Sequence, residues 1–466
     1  MDGAAPHVAR FMEVKAFMTE RISNLVVPLP HKGTDMRITD TAGTQPGRSC
    51  AVSLLNYRQG DVESTIVPAT PGIRTSTTAT RTTTTRAPSC APAPSADWSA
   101  PADFDLAALV EAYLDCRRTK RNTASALAFE MRLEYNLRLL YDELLEGRYT
   151  PGQSICFVIT RPRPREVWAA QFRDRIVHHL LHNRIAPHFY ARFIADSCAC
   201  IPGRGTLYGA QRLEAKVRSI TQNWARPAFY LKCDLANFFV AINKHILAQL
   251  LARHVTDPWW WRLTEIILFH DPRQDFEYRG DPRKLDLVPR HKRLTEQPAH
   301  LGLPIGNLSS QFFANVYLDV LDQFVKHELR CRHYIRYVDD FVLLHESPQW
   351  LNEAKARIEL LLADRLQAML NPTKTILQPL ERGVDFVGQV IKPWRRTLRR
   401  RAYNDALHRV GTIDAEGLFE TANSYYGLAR QAPHSHHDRA RLSNALRRRG
   451  HTIKSDLTKT YRRAQH

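Results

Sequence analysis

An α+β fold is what this sequence predicts, and three observations predict it. Helical periodicity begins at Phe104 and recurs through most of the remaining chain. Two short apolar runs, Phe229–Asp234 and Tyr334–Leu344, read as strands. Helices and strands mix without a regular strand–helix–strand alternation, so a doubly wound parallel sheet is not expected.

The elements follow in chain order. Val8–Val27 holds one short candidate helix. From Pro28 to Pro101 the chain is Thr, Ser, Ala, Pro and Gly, and Thr75–Arg86 reads TSTTATRTTTTR. Such a stretch cannot bury enough apolar area to offset chain entropy, so residues 1–100 are expected to be a largely disordered extension. Leu106, Leu109, Val110, Tyr113 and Leu114 then share a helix face. A second helix is expected over Ala124–Leu145, with Phe129, Leu133, Leu137, Leu140 and Leu144 as its stripe. Gly147 ends it and Pro151-Gly152 reads as a turn. Cys156–Thr160 follows as a strand and Asp174–His188 as a helix. Between the two apolar runs, helices are expected over Lys244–His254, Trp259–His270 and Ser309–Leu329. No internal repeat is present.

Charge narrows the function classes. The chain has 466 residues, with 66 Lys and Arg against 47 Asp and Glu, a net charge of +19. The tail from Trp394 to His466 is Arg-rich, and a field of that sign attracts polyanions. No run of apolar residues is long enough to span a membrane, and the start lacks the layout of a secretory signal. The eight cysteines form no CxxC pair, so neither a zinc site nor a disulfide framework is expected, and a reducing cytoplasm is the default. His178, His179 and His182, and His434, His436 and His437, lack acidic or Cys companions at zinc spacing and read as packed or surface histidines.

The carboxylates carry the chemistry. Nucleotidyl transfer uses two divalent cations about 3.5–4 Å apart. Mg²⁺ takes few protein carboxylates and completes its shell with water and phosphate oxygens. The protein must therefore hold two or three Asp side chains at one point on rigid elements. Asp339 and Asp340 sit between two strand-like runs, at a natural hairpin, and adjacent like charges repel unless a cation neutralises them. Asp234 ends an otherwise buried strand, where it is either a helix cap or a metal ligand.

With these residues in view, the chain resembles a reverse transcriptase over roughly residues 104–460. Asp234-Leu-Ala-Asn-Phe-Phe239 resembles the first palm motif, and Tyr337-Val-Asp-Asp340 the YxDD box. Gly302-Leu-Pro-Ile-Gly-Asn-Leu-Ser-Ser-Gln311 is similar to the motif that lies against template and nucleotide. Leu370-Asn-Pro-Thr-Lys-Thr375 and Gly383-Val-Asp-Phe-Val-Gly388 resemble the later palm motifs and the primer grip. The resemblance implies a right-hand polymerase fold: helices and fingers over 101–228, a palm over 229–393 with an insertion near 245–300, and a basic helical thumb over 394–466.

It also implies roles. Asp234, Asp339 and Asp340 would be catalytic and, with Leu235, hold two Mg²⁺ ions, for which Mn²⁺ could substitute. Phe239 would be the steric gate against a ribose 2′-OH, with Phe238 beside it. Arg163 and Arg165, on a finger hairpin, would clamp the triphosphate, and Lys374 would lie near it. Gly306 and Gln311 would meet the nucleotide. Arg204, Ser309, Ser310, Tyr337 and Gly388 would meet template and primer. Small residues such as Gly306, Ser309 and Ser310 let a base pair approach the backbone. Substrates would be dNTPs on an RNA template with a DNA or RNA primer.

Ile305 before Gly306, and Gln311 after Ser310, depart from the commonest pattern and resemble the reverse transcriptases of diversity-generating retroelements. Trp168–His179, Val288–Lys292 and Asn423–Leu428 agree with that group, while Gln171 stands where many relatives carry Pro. The resemblance implies error-prone copying at template adenines and a small, basic accessory protein. A retron-like or phage-defence reverse transcriptase shares the palm motifs. A catalytically silent RNA-binding scaffold is the reading from another class. Neither an RNase H domain nor an endonuclease domain is expected after Gly388.

Overall fold

The computed structural model describes residues 99–120, 123–161 and 163–461. The expected Val8–Val27 helix, the expected disorder up to residue 98, Cys50 and Cys90 lie outside them.

The fold is α+β, as expected. Its centre is a four-stranded antiparallel sheet in the order β5-β6-β3-β7, formed by β3 (Phe229–Asp234), β5 (Tyr334–Tyr337), β6 (Asp340–His345) and β7 (Ile376–Pro379). The apolar run 334–344 thus splits into a hairpin, with Val338 and Asp339 as its two loop residues. One face of this sheet carries Leu231, Cys233, Tyr334, Phe341 and Leu343 into the main core, beside the helices Leu308–Gln323 and Pro348–Leu366. The other face carries Tyr230, Ile335, Val342 and Leu344 against the helix Thr206–Ile220. Alternation along each strand serves two cores at once.

Two smaller sheets flank it. β1 (Ser154–Ile159) pairs antiparallel with β2 (Arg165–Ala169) and parallel with β4 (Phe276–Tyr278). β8 (Val384–Phe386), β9 (Gln389–Lys392) and β10 (Arg395–Leu398) form an antiparallel meander. Val387 and Gly388, both at positive φ, join β8 to β9, the backbone that a tight primed hairpin turn requires. The basic C-terminal part folds as three helices, Arg400–Thr412, Ala415–Ala429 and His436–Arg448, around a separate core of Val410, Leu418, Ala422, Tyr426 and Leu446. A two-residue ladder, β11 (Thr452–Ile453) with β12 (Thr460–Tyr461), closes it.

Several expectations need correction. The Ala124–Leu145 helix is two helices, Ala124–Glu130 and Leu133–Leu145, broken at Met131-Arg132. The break lets Phe129 turn onto Phe172 while Leu137, Leu140 and Leu144 keep their own buried stripe. Pro151-Gly152 is not a turn. Gly152 continues toward β1 and donates its N–H to the buried carboxylate of Asp174. Asp234 does not cap the next helix, whose N-cap is Asn237 at φ 50°. The helix expected over Ser309–Leu329 runs from Leu308 to Gln323, then widens to one π-type turn.

Gly306 packs tightly against β2. At φ +131°, its missing Cβ would stand 2.7 Å from the Trp168 carbonyl oxygen of β2. One residue earlier, the Ile305 carbonyl accepts the Trp168 N–H at 2.7 Å. Gly306→Ala combines a clash with backbone and a disfavoured φ, so we expect a loss of about 1–3 kcal/mol. Denaturant unfolding monitored by tryptophan fluorescence will show it as a lowered midpoint at unchanged m-value.

Candidate active site

β3 and β6 run antiparallel with Asp234 opposite Asp340, and the β5–β6 turn sets Asp339 beside them. Residues two apart on a strand share a face, so Lys232 joins Asp234 and Asp340 on the same side. Its ammonium contacts the Asp340 carboxylate at 3.0 Å and donates to the Asp385 carbonyl at 2.7 Å. The segment after the helix Pro348–Leu366 closes over the strand end. Asn371 donates its N–H to the Asp234 carbonyl at 2.7 Å, and Lys374 reaches the Asp234 carboxylate at 2.5 Å.

Burial of these acids is costly. Asp339 is held above the usual carboxylate range by burial and then by the charge of Asp234. Asp340 is pushed up to about 6, again by burial first, with Lys232 opposing and Asp339 and Asp234 adding to the rise. The three carboxylates therefore sense one another. Asp340 Oδ1 is buried without a hydrogen-bond partner, an orphaned anion-type acceptor of the kind that calls for a cation. Among the described residues, no group of three His, Cys, Asp or Glu side chains is already drawn together in metal-binding geometry. Lys374 and Lys232 hold Asp234 and Asp340 instead. The donor chemistry, hard carboxylate oxygens with lysine stand-ins, fits Mg²⁺ or Mn²⁺. Leu235 has a buried side chain and can offer a cation only its carbonyl oxygen.

The turn itself is unusual. Val338 lies at φ 55°, a region that β-branched residues disfavour. Its carbonyl accepts from Arg336 Nη1 at 3.0 Å. Arg336 is fully buried and paired with Asp322, also fully buried, at 2.6 Å. Arg336, Asp322 and Lys232 were not singled out from the sequence. Strand alternation could have found Lys232 through Asp234. Asp322 sits on a helix, and nothing in the sequence tied it to Arg336.

The remaining expected site residues divide. Arg165 opens β2 at an exposed position, near enough to Asp339 for its charge to stabilise that carboxylate. Arg163 is exposed on the hairpin loop. Phe239 is half-buried, while Phe238 is buried in the main core and packs edge-on against it. Tyr337 is half-buried, packed against the second core. Gln311 faces Cys200, whose thiol donates to its side-chain oxygen at 3.4 Å. Gly388 lies beside Leu428 of the helix Ala415–Ala429.

Four residues have internal roles here. Ser309 is buried and hydrogen-bonded to His178 at 2.7 Å, and Ser310 is buried beside it. Their small size serves helix packing in the core. Gly306 accommodates the β2 backbone. Arg204 donates to the carbonyls of Ile194 and Ser197 at 2.7 and 2.8 Å, tying its own loop together. Of the histidines, His182 bonds Tyr190 and His434 accepts from the Arg396 N–H, as packed residues do.

Residues 161–391 match the reverse transcriptase (RNA-dependent DNA polymerase) family. The match assigns a nucleotidyltransferase domain to that part of the chain. Protein YkfC of Escherichia coli is 21% identical over 333 residues, covering 64% of this chain and 81% of that protein. Among solved structures, a telomerase from Candida albicans with a telomeric RNA fragment is similar at a TM-score of 0.38 and 11% identity, over 64% of this chain and 55% of that one. An apo telomerase from Candida tropicalis gives 0.39 and 12%, over 54% and 56%. The chain thus spans just over half the length of those telomerase chains. No helix among the described residues is long and apolar enough to cross a membrane.

Asp340→Asn removes one of three mutually repelling carboxylates. We expect it to stabilise the metal-free protein at pH 8 by ~1 kcal/mol, a trade of function for stability. Thermal melts in EDTA and in Mg²⁺ check this, with Mg²⁺ raising the wild-type midpoint alone. A lower midpoint for the variant in EDTA would mean that Lys232 already compensates the carboxylate.

Proposed function

We propose that this chain is an RNA-directed DNA polymerase that extends a primer on an RNA template with dNTPs. The carrying observation is the placing of Asp234 opposite Asp340 on β3 and β6, with Asp339 in the adjoining turn and one Asp340 oxygen buried without a hydrogen-bond partner. Asp234, Asp339 and Asp340, with the Leu235 carbonyl, would hold two divalent cations. When bound, such ions lower the pKa of the attacking 3′-hydroxyl and neutralise charge on the triphosphate.

The other residues bind and orient. Lys374 is 40% exposed at the cluster, placed to exchange Asp234 for a phosphate oxygen as a nucleotide enters. Arg165, and Arg163 on the same hairpin, present planar forks that match phosphate oxygens in pairs. Phe239, half-buried and five residues after Asp234, would fill the space of a ribose 2′-OH. The C-terminal helices bring their Arg side chains for the template–primer backbone, which makes binding steeply salt-dependent.

Within this class we favour a diversity-generating retroelement enzyme that copies template adenines with errors, works in the cytoplasm and uses a small basic accessory protein. The supporting features are Ile305 and Gln311 in the middle palm motif and the Val288–Lys292 and Asn423–Leu428 stretches.

Primer extension on RNA with Mg²⁺ tests the activity. Asp339→Asn should lower the rate at least ~10³-fold, as loss of a metal-holding carboxylate does. Equal extension by the variant would sink the assignment, and faithful copying of adenine would point to the retron-like or defence group. Phe239→Ala should raise ribonucleotide incorporation ~10-fold or more relative to dNTP, read from single-nucleotide addition. Unchanged discrimination would return Phe239 to a packing role.

A further inference from the structure

We propose that Arg336 is a positioning residue for the metal-holding turn. It acts through the Val338 carbonyl and fixes where the Asp339 carboxylate points. This rests on the reading of Asp339 as a metal ligand.

The geometry carries the argument. A guanidinium has five N–H donors, and each of those of Arg336 has a partner. Nε and Nη2 grip both Asp322 oxygens at 2.8 and 2.6 Å. Nη2 also donates to Ser197 Oγ at 2.9 Å, and Nη1 to Asn315 Oδ1 at 3.1 Å. The last donor reaches the Val338 carbonyl at 3.0 Å. Four of the five bonds hold the arginine among elements that are themselves fixed. Asn315 and Asp322 stand on one helix, and Ser197 lies in a loop bridged to Arg336 by its backbone. The fifth transmits that fixed position into the turn.

That carbonyl belongs to the peptide plane leading into Asp339. Pinning its oxygen sets the plane from which the Asp339 side chain leaves. The turn needs such a restraint, because Val338 at φ 55° would relax if released. Asp322 neutralises the guanidinium charge, so the effect on the turn is geometric. Lysine cannot replace it, since one ammonium lacks the planar fork that serves Asp322 and Val338 together.

The test uses the full chain, with Arg336→Lys, a charge-neutral double variant (Asp322→Asn with Arg336→Met), and Tyr426→Phe, which removes a buried hydrogen bond to Ser443 in the separate C-terminal core, as a control for lost stability alone. Mn²⁺ affinity is read by electron paramagnetic resonance, alongside the single-turnover extension rate, KM for primed template, circular dichroism and thermal midpoint. We expect both Arg336 variants to fold, to bind Mn²⁺ about 10-fold more weakly and to extend about 10- to 100-fold more slowly, as loss of a ligand-orienting partner does. Their KM for primed template should stay within about twofold, as should the Mn²⁺ affinity of Tyr426→Phe despite its lower midpoint. The double variant decides the matter should lysine prevent folding. Wild-type Mn²⁺ affinity in a folded Arg336 variant, or an equal loss in Tyr426→Phe, overturns the proposal. Asp339→Asn run in parallel separates the two readings. If it binds Mn²⁺ like wild type, the turn is no metal site and the role of Arg336 falls with it. If it does not, failure of the Arg336 variants to differ is a failure of this inference alone.

Discussion

The buried Arg336–Asp322 pair is the interaction on which the centre of this protein depends. Removing a guanidinium and a carboxylate from water costs several kcal/mol for each ion. A mismatched pair at this depth would be a liability. Here every donor of the arginine is used, and Asp322 accepts in addition from the Tyr334 hydroxyl at 2.7 Å. The pair binds together the helix Leu308–Gln323, the β5–β6 hairpin that follows it and, 139 residues upstream of Arg336 at Ser197, the loop at Asp196–Cys200. That loop is anchored a second time by Asp196, whose buried carboxylate collects Arg212, Lys216 and Lys326. Hydrophobic packing alone would place the strands. The polar network fixes their register and the orientation of the turn.

The acid cluster shows the opposite economy. Its carboxylates are crowded, partly desolvated and restrained by lysines that do not satisfy every oxygen. Such a site is poised for a ligand of higher charge, and the fold tolerates it because the large apolar core on one side and the second core on the other absorb the strain. Lys232 bridges the acids to the β8–β10 meander through the Asp385 carbonyl, so the meander's position is coupled to the charge state of the site.

Much of this was legible in the sequence, for physical reasons. Phe229–Asp234 has the bounds of β3 because an apolar run interrupted by a single acid has few other places to sit. The split of 334–344 into a hairpin follows from two adjacent charges that no sheet interior would accept. The break at Met131-Arg132 was not legible, since both halves keep helical spacing and only the partner surface at Phe172 separates their faces. The burial of Ser309 and Ser310, the engagement of Arg204 with its own loop and the fit of Gly306 against Trp168 also escaped. Small or basic residues in a polymerase-like motif suggest contact with nucleic acid, and only the packed neighbours reveal an internal use. Lys232 and Arg336 lie in plain view within strands, but their meaning depends on partners that sequence spacing does not join.

β4 is only three residues long, yet it flanks β1 on the side away from β2. Open strand edges invite pairing with another chain, and proteins blunt them with short or covered strands. β2 is partly covered by the bond from Trp168 to Ile305, and β4 presents too little edge to template a neighbour. The segment around 276–278 therefore acts as a guard on solubility as well as a connection. Shortening it to make a minimal enzyme would bare β1 from Ser154 to Cys156, and the first consequence would be self-association of the trimmed protein at high concentration.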